Sequence, residues 1–441
     1  MKRGARRDDG MGDIHEVTIG FLGCGNIGNG VWRLINEMAP AIEHREKVRL
    51  RVKRMLVRNM NKARPNVPHE LLTTNPDDVL GDPEISIVAE FMGGAEPANT
   101  YMQRALAAGK TVVTANKMAL ALNWSKLQAT ATASGAGLFY EASVCGGIPI
   151  IRTITTSLQA NRFSRVVGII NGTTNYILSE MTSKGLDYAE ALAQAQRLGL
   201  AEPDPSADVN GLDAAYKLSI LSTLAFHARI PFDRIYCEGI TGVAAEDIEF
   251  GRSAGYTVKL LAIAKRAGQT VEARVHPAFI PSDHPLASVS GSYNAVFLTG
   301  NAVDDLMLYG RGAGDMPTAS AIVSDLINAS KAQHFEQPTF LNRPIPPDDL
   351  TIDANFRSKF YVRMSVADRV GVLEALAGAF ARQNVSIASM GQTKHGPGRV
   401  PLTVTTHETC ESAMRAALAS ISEETAIVRS VIRIEELGES R

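Results

Sequence analysis

The sequence has no clustered cysteines. Its four cysteines, Cys24, Cys145, Cys237 and Cys410, lie far apart along the 441 residues, and none belongs to a C-x-x-C pair. Structural zinc sites and disulfide frameworks need such clusters, so this spacing argues against both. Isolated cysteines fit a reducing compartment, and we expect a cytoplasmic protein.

The chain also lacks an excess of either charge and lacks a long apolar run. Lysine and arginine number 45 against 46 acidic residues, which gives a net charge of −1. Nucleic acids and anionic membranes attract basic surfaces, so neither partner is expected. No apolar run approaches the roughly 18 residues that a membrane helix needs. A small-molecule partner fits these absences best.

Residues 1–12 are basic at first but contain no apolar stretch. A signal peptide needs such a stretch, so the sequence predicts a disordered tail here. The folded part of the chain is expected to begin near residue 13.

Strands and helices alternate over the first third of the chain. The predicted elements are a strand, glycine turn and helix over 16–38, further strands at 50–58, 85–93 and 110–116, and a helix at 100–109. This alternation is typical of an α/β fold with a doubly wound parallel sheet of the Rossmann type. We therefore predict a dinucleotide-binding domain over 13–149, to which residues 312–335 return.

The pattern changes near residue 150. Helical and strand-like stretches are mixed over 150–311, which predicts an α+β catalytic and oligomerisation domain. Three prolines in NRPIPPDD cannot continue a helix, so residues 336–357 are predicted to be a linker. Residues 358–436 then follow the order strand, helix, strand, strand, helix, strand. This order predicts a separate βαββαβ unit.

The stretch GFLGCGNIG places three glycines at G-x-G-x-x-G spacing between a predicted strand and a predicted helix. Gly23 permits the tight turn, Gly25 lets a pyrophosphate approach the main chain, and Gly28 allows close packing of helix on strand. Asn26 and Ile27 begin the helix, whose free N–H groups attract phosphate. The spacing alone has low specificity, but its strand–turn–helix context favours dinucleotide binding over a structural glycine turn.

The end of the second strand suggests which dinucleotide binds. An acidic residue at this place binds the ribose 2′-hydroxyl of NAD, whereas a basic residue suits the 2′-phosphate of NADP. Here the strand ends in RNMNK (58–62), which contains no carboxylate. We predict NADP over NAD, which stays possible, with Arg58 at the 2′-phosphate. The alternative is that Arg58 merely faces solvent.

Residues 199–218, GLAEPDPSADVNGLDAAYKL, place several carboxylates ahead of Lys217. Asp213 and Lys217 are four residues apart and would share a helix face, either as a solvated ion pair or as part of a site. If a hydride leaves a carbinol for a nicotinamide, some group must take the hydroxyl proton, and a buried lysine can do so. Acidic neighbours favour the lysine cation, so the carboxylates are better explained as holding a cationic group of the substrate.

Five long motifs resemble those of homoserine dehydrogenases in their order and spacing. They are VVTANKMALA (112–121), YEASVCGGIPI (140–150), GIINGTTNYIL (168–178), GLAEPDPSADVNGLDAAYKLSIL (199–221) and YGRGAGDMPTASAIVSDL (309–326). The resemblance covers about residues 17–331. The C-terminal unit resembles an ACT domain, placed as in the longer members of that family.

The resemblance implies oxidation of L-homoserine to L-aspartate 4-semialdehyde with NAD(P), run physiologically as the reduction, on the route to threonine, methionine and isoleucine. It implies that Lys217 is the acid–base group and that Lys117 is a second essential lysine where cofactor and substrate meet. Glu202 and Asp213 would bind the substrate, with Asp208 in support. Taken alone, Lys117 could instead be a surface lysine at a strand end.

Three further glycines are expected beside the cofactor. Gly93 and Gly94 fall where the predicted third strand meets the cofactor, and Gly314 lies in the glycine-rich GRGAG turn. Glycine permits close approach of the main chain to a ligand. For Gly314 the alternative is a plain chain reversal.

The family also implies a monovalent cation, usually sodium, that main-chain carbonyl groups of EASVCGG bind. These carbonyl groups fall on Glu141, Val144, Gly146 and Ile148. Because the main chain would bind the ion, side-chain identity is a poor guide to this site. Cys145, in the same segment, is expected to be a small buried hydrophobe rather than a reactive thiol.

In the ACT-like unit, Asp368 and Gly371 make the first strand–helix turn, a usual site for a small amino acid. Asn384 could meet the same ligand across a dimer interface. We expect feedback inhibition by L-threonine, the end product of the implied pathway; a purely structural dimerisation module is the alternative. The family also implies a homodimer or homotetramer. A second hypothesis is a catalytically silent, NADP-bound amino-acid sensor, against which the intact lysine motifs argue.

Overall fold

The computed structural model of the chain describes residues 14–331, 350–392 and 398–437. The chain divides into two compact units, of which the first runs to residue 152 and resumes at 313, and the second holds 153–312 and the C-terminal part. The predicted tail and residues 336–349 of the predicted linker lie outside the described residues. None of the helices in the described part combines the length and apolar character that crossing a membrane requires.

The strands are β1 (His15–Leu22), β2 (Val48–Leu56), β3 (Leu72–Thr73), β4 (Ile87–Glu90), β5 (Thr111–Thr114), β6 (Leu138–Phe139), β7 (Phe163–Ile169), β8 (Tyr236–Cys237), β9 (Tyr256–Ala267), β10 (Thr270–Pro281), β11 (Tyr293–Gly300), β12 (Asp304–Arg311), β13 (Thr351–Ile352), β14 (Arg357–Ala367), β15 (Ile387–Gln392), β16 (Arg399–Thr406), β17 (Thr409–Cys410) and β18 (Ala426–Ile434). The α-helices are α1 (Asn26–Glu46), α2 (Asp77–Leu80), α3 (Ala98–Ala107), α4 (Lys117–Ser134), α5 (Ile150–Arg152), α6 (Gly172–Lys184), α7 (Tyr188–Arg197), α8 (Ser206–Val209), α9 (Leu212–Phe226), α10 (Ala245–Ser253), α11 (Asp315–Lys331), α12 (Val372–Arg382) and α13 (Glu411–Ala419).

The first unit contains a parallel sheet in the order β3-β2-β1-β4-β5-β6. Strands β4 and β5 are buried along their whole length, as expected where helices cover both faces of a sheet. This is the Rossmann order, in which ligands bind beyond the carboxyl ends of the strands where the order reverses. The predicted doubly wound parallel sheet is confirmed, whereas the two-residue strands β3 and β6 were too short to predict.

Helices α1 and α11 share one hydrophobic core with the central strands of this sheet. Val31 and Ile35 of α1 and Ile322 and Leu326 of α11 are buried in it together with Phe21 of β1. The i, i+4 spacing within each helix puts both residues on the face that meets the sheet. Burial of this face is the reason that α11 folds with the first unit, although some 160 residues separate it from α5.

The second unit is built on a mixed sheet in the order β12-β11-β7-β9-β10-β18-β14-β16-β15. Strand β9 pairs antiparallel with both β7 and β10 and is buried through its middle. Its sequence, YTVKLLAIAKRA, is rich in residues that favour helices, so local propensity does not predict this strand. Pairing on both edges overrides that propensity, and the α+β character predicted for the middle domain is confirmed.

The C-terminal region follows the predicted βαββαβ order with β14, α12, β15, β16, α13 and β18. Strand β18 also pairs in parallel with β10, through Ala278 with Arg433 and Phe279 with Ile434, so it joins the ACT-like part to the middle part of the same sheet. In the described part of the predicted linker, β13 pairs with the start of β10, and β14 begins at Arg357.

Candidate active site

The glycine turn between β1 and α1 leaves part of the main chain open. Gly23 has φ +103°, and a Cβ there would lie 3.2 Å from the main chain of Phe91. A Cβ on Gly28 would lie 2.8 Å from the carbonyl oxygen of Gly23. On Gly25, which caps α1, a Cβ would have no described atom within 4 Å. The fold therefore requires two of the glycines, and the third faces space that a ligand can fill.

The start of α1 supplies the donors for such a ligand. Asn26 and Ile27 are its first two residues, the former exposed and the latter half-buried. The first N–H groups of a helix lack intrahelical acceptors and carry partial positive charge, so they favour a phosphate group. Gly314, with φ +118°, directly precedes α11 in the same unit. The residues present in the turn thus fit a dinucleotide.

Two arginines follow strand β2. Arg58 is exposed just beyond the carboxyl end of the strand, where the predicted 2′-phosphate contact would be made. Arg64 was not predicted: its guanidinium donates to the carbonyl oxygens of Cys24 at 2.8 Å and Asn59 at 3.0 Å. It ties the loop after β2 to the glycine turn. An arginine in the irregular stretch NKARPN gives no sequence signal for this role.

Lys117 is the first residue of α4, three positions after the carboxyl end of β5. Asn116 caps this helix by accepting a hydrogen bond from the Ala119 N–H at 3.0 Å, and its Nδ2 donates to the Gly94 carbonyl at 2.7 Å. Gly93 and Gly94, with φ +74° and +71°, form the loop after β4. The structure therefore brings Lys117 and these predicted glycines to one edge of the sheet.

The predicted acid–base lysine lies in the second unit, on α9. The Nζ of Lys217 donates to the carboxylate of Asp213 at 2.6 Å and to the carbonyl oxygen of Ile170 at 2.8 Å. The two side chains of the ion pair are only 10% and 7% exposed. A solvated surface ion pair is thereby excluded, since both charges are taken out of water.

A second carboxylate joins this pair through an asparagine that was not predicted. The Nδ2 of Asn171 donates to Asp208 at 2.7 Å and to Asp213 at 2.9 Å, while its Oδ1 caps α6 by accepting from the Thr174 N–H. Burial, and next the nearby Asp213 charge, raises the pKa of Asp208. An asparagine ahead of Gly-Thr-Thr is a recognisable helix cap. Its contact with residues some 40 positions later is not visible in the sequence.

Glu202, the other predicted substrate ligand, is exposed in the loop between α7 and α8. The main-chain oxygen of this residue accepts a hydrogen bond from Gln196 at 3.2 Å. Among the described residues, no hydrogen bond joins its carboxylate to the cluster of Asn171, Asp208, Asp213 and Lys217. The structure thus assembles two of the three predicted carboxylates around the lysine.

The segment predicted to bind a cation is buried in the first unit. The Glu141 carboxylate accepts hydrogen bonds from the N–H groups of Ile151 at 2.9 Å and Arg152 at 2.8 Å, so it caps α5. Burial raises its pKa. Cys145 and Gly146 have φ +55° and +33°, which turns the chain between them. The Ile148 carbonyl oxygen accepts from the Ile150 N–H at 2.7 Å. Carbonyl oxygens, which hard cations prefer as ligands, are thus the polar groups that this segment offers beside the engaged carboxylate.

A buried aspartate of α11 supports this segment. Asp325 accepts a hydrogen bond from the Glu141 N–H at 2.9 Å and pairs with Arg152 at 3.0 Å. Burial raises the pKa of Asp325 to about 7. Cys145 is buried, as predicted for a small hydrophobe. In the described residues, no cluster of histidine, cysteine, aspartate and glutamate side chains could hold a metal ion.

The predicted effector residues lie at the two ends of α12. Gly371, with φ +88°, is the N-cap, and the exposed Asp368 precedes it by three residues. Asn384, with φ +57°, follows the C-terminal end of the same helix. Because α12 has 11 residues, these ends are about 16 Å apart. One copy of the chain therefore does not bring the three residues together.

Comparisons with known proteins match every part of this organisation. Family models described as "Homoserine dehydrogenase, NAD binding domain", "Homoserine dehydrogenase" and "ACT domain" match residues 23–141, 149–327 and 360–424. A homoserine dehydrogenase of Synechocystis sp. is 42% identical over 446 residues, which cover 95% of this chain and 99% of that protein. This chain belongs to the homoserine dehydrogenase family. The predicted resemblance, including the C-terminal ACT domain, is thereby confirmed.

Relatives and solved structures of homoserine dehydrogenases match most of the chain. The Bacillus subtilis relative is 36% identical over 434 residues, 96% of this chain and 99% of that protein. The crystal structure of a homoserine dehydrogenase from Thiobacillus denitrificans superimposes with a TM-score of 0.90 at 41% identity, covering 97% of this chain and all of that one. A hyperthermophilic archaeal member in complex with NADPH has a TM-score of 0.62 at 27% identity, over 71% of this chain and 98% of that one. Members of this family are oxidoreductases that use a nicotinamide nucleotide as cofactor.

Proposed function

We propose that this chain interconverts L-homoserine and L-aspartate 4-semialdehyde in threonine, methionine and isoleucine synthesis, with Lys217 as its acid–base group. The observation that carries the proposal is the buried amino group of Lys217, held by Asp213 and the Ile170 carbonyl. When bound, NAD(P) accepts a hydride from the carbinol carbon or returns it to the aldehyde carbon. Lys217 takes the hydroxyl proton during oxidation and gives it to the carbonyl oxygen during reduction.

Asp213 favours one direction of this proton transfer. A carboxylate 2.6 Å from Nζ stabilises the ammonium form of the lysine. That form is the proton donor which aldehyde reduction needs. Asp208, linked to Asp213 through Asn171, is proposed to help hold the substrate ammonium group together with Asp213 and, from its loop, Glu202.

The test is absorbance at the reduced-nicotinamide band when L-homoserine is mixed with NADP or NAD at alkaline pH. Formation of the reduced cofactor is the expected result. Binding of NADP without turnover, in a folded protein, would contradict the proposed activity and favour the catalytically silent amino-acid sensor.

We infer a preference for NADP over NAD from Arg58. Its guanidinium is exposed beyond β2, at the place where the sheet order puts the adenosine ribose. Arg58→Ala should raise the KM for NADP and leave the KM for NAD unchanged. An equal change in both would assign Arg58 to general cofactor binding, and no change in either would leave it a surface residue.

We also propose that the carbonyl groups of Glu141, Val144, Gly146 and Ile148 bind a monovalent cation, namely sodium. The donor chemistry supports this, because the Glu141 carboxylate is already engaged by two N–H groups and the segment offers main-chain oxygens. Activity should fall when sodium is exchanged for tetramethylammonium at constant ionic strength. Indifference to the exchange would contradict a cation site.

For the ACT domain we propose L-threonine as effector and a homodimer or homotetramer as the assembly. The support is the placement of Asp368 and Gly371 at one end of α12 and Asn384 at the other, since a ligand that needs both ends requires a second copy. Inhibition by millimolar threonine, with binding by calorimetry, is expected. If threonine neither inhibits nor binds, the ACT domain would be a dimerisation module without an amino-acid ligand.

A further inference from the structure

A carboxylate that sequence analysis did not single out lies at the carboxyl end of β4. Glu90 is 0% exposed. Its Oε1 accepts a hydrogen bond from the Met92 N–H at 2.7 Å, and its Oε2 accepts one from the Thr114 hydroxyl at 2.6 Å. Strands β4 and β5 are neighbours in the sheet, so Glu90 joins their two ends. Both ends face the edge where the cofactor is expected.

The contacts of Glu90 continue to the start of α4. The Asn116 Nδ2 lies 3.4 Å from Glu90 Oε1 and 2.7 Å from the Gly94 carbonyl oxygen. The Thr114 hydroxyl oxygen also accepts from the Asn116 N–H at 2.9 Å. Asn116 is thus held by its main chain and its side chain, and Lys117 is the next residue.

Burial of this carboxylate has an electrostatic cost. Loss of solvent raises the pKa of Glu90, and the hydrogen bonds from Thr114, Met92 and Asn116 offset the effect in part. Taking a carboxylate out of water costs free energy that its hydrogen bonds offset only in part, so this group is weak support for stability. The contacts of Glu90 hold the chain in place after β4 and after β5, and they do not serve to fill the core.

We propose that Glu90 is a positioning residue for the nucleotide site: it acts through Asn116 to hold the start of α4 at Lys117 and the Gly93–Gly94 loop. The inference rests on the proposed cofactor contacts of Lys117 and of these glycines. Glu90 itself need not touch cofactor or substrate. The chain therefore uses a side-chain network to set main-chain positions that the glycine loop alone leaves flexible.

The test is Glu90→Gln, which keeps the side-chain volume. One carboxylate oxygen becomes an amide NH₂. In one orientation the NH₂ faces the Met92 N–H, which is also a donor. In the other it faces the Thr114 hydroxyl oxygen, which already accepts from the Asn116 N–H. In the first orientation the amide NH₂ also meets the Asn116 Nδ2, which is a donor, and in the second the Thr114 hydroxyl loses its acceptor, so the network around Asn116 is weakened in both. The dissociation constant for NADPH, from nicotinamide fluorescence without substrate, should rise about tenfold, which corresponds to about 1.4 kcal/mol.

Glu84→Gln is the matched control. Glu84 precedes β4 at the opposite end, where its exposed carboxylate pairs with Lys53. The same chemical change there should leave both NADPH binding and the melting temperature unaltered. Glu90→Gln should leave the melting temperature within a few degrees of the wild type, since the fold is kept. A tenfold loss of binding in both variants would overturn the proposal.

A double-mutant cycle separates positioning from a general effect on the fold. If Glu90 acts through Asn116, Glu90→Gln should raise the dissociation constant less than about threefold in an Asn116→Ala background. Effects that multiply independently, or no effect of Glu90→Gln alone, would contradict the proposal. NADPH binding is measured without substrate, so its outcome does not depend on the proposed activity. The proposed activity is contradicted only if L-homoserine is not turned over.

Discussion

The glycine turn of the first unit presents main-chain groups, whereas the lysine cluster of the second unit presents side chains. The turn uses the main chain of six consecutive residues, with Gly25 facing open space. The cluster uses side chains from three helices or their caps, with Asn171, Asp208, Asp213 and Lys217 all in contact. Ligand binding by main-chain groups is blocked when a side chain is added beside them. A site made of side chains loses function when any one of them is removed.

The difference concerns chemistry as well as construction. Main-chain N–H groups at a helix start bind a phosphate group without titrating, so the turn can hold a cofactor but cannot move a proton. The lysine cluster holds an amine that can. Substitutions in the two regions should therefore separate cofactor binding from turnover.

The largest expected effect follows removal of the lysine. Lys217→Met should lower kcat for L-homoserine oxidation by about 10³-fold, the usual contribution of a general acid–base group. NADPH binding, measured by nicotinamide fluorescence, should not change. Lys110→Met is the control, because Lys110 is also buried and donates to a carbonyl oxygen, that of Ile85 at 2.7 Å. The control should lose stability but keep its kcat; a similar loss in both would remove the chemical role.

The next effect tests the residue that bridges the carboxylates. Asn171→Ala removes a helix cap and the link between Asp208 and Asp213, so kcat/KM should fall about 30-fold and stability by about 1 kcal/mol. Asp187→Ala removes the cap of α7 alone, through its contact with the Glu190 N–H. Steady-state kinetics and thermal melts of both variants provide the comparison. Equal kinetics in the two variants would reduce Asn171 to a cap.

In the first unit, substitutions of two glycines should differ in their effect on stability. Gly25→Ala adds a methyl group to open space and should raise the dissociation constant for NADPH about tenfold without lowering the melting temperature. Gly28→Ala places Cβ 2.8 Å from the Gly23 oxygen and should lower the melting temperature as well. Normal NADPH binding by Gly25→Ala would show that the open face is not the pyrophosphate site.

The first unit is more readable from sequence because its signals are local. The spacing of Gly23, Gly25 and Gly28 and the alternating strands were enough to predict both the sheet and the turn. Arg64 and Glu90 were missed, since each acts through partners some 25 to 40 residues away.

The same limit applies to the second unit. The i, i+4 spacing predicted that Asp213 and Lys217 share a helix face, which the structure confirms. Burial of the pair and its contact with Asn171 depend on how β7, α6 and α9 pack. Strand β9 was not predicted, because it depends on pairing with β7 and β10 rather than on its own sequence. Roles that the family motifs imply for Lys117 and Glu202 stay predictions.

The smallest expected effect concerns pH and stability at Asp325. Its folded-state pKa is raised to about 7, so the folded chain holds a proton that the unfolded chain releases above about pH 4. Stability at this group therefore falls as pH rises from about 4 to 7. Asp325→Asn should flatten that decline by about 5 °C in melting temperature between pH 5 and 7.5. An unchanged slope would contradict the raised pKa.

The most direct test of the division between the two regions is kcat for L-homoserine oxidation at saturating NADP, measured for wild type, Gly25→Ala and Lys217→Met. We expect Gly25→Ala to regain most of the wild-type kcat once NADP is saturating, because only cofactor binding is weakened. Lys217→Met should stay about 10³-fold slower at any NADP concentration. Recovery of Lys217→Met at saturating NADP would contradict the proposed division, because it would make Lys217 a cofactor ligand instead of the acid–base group.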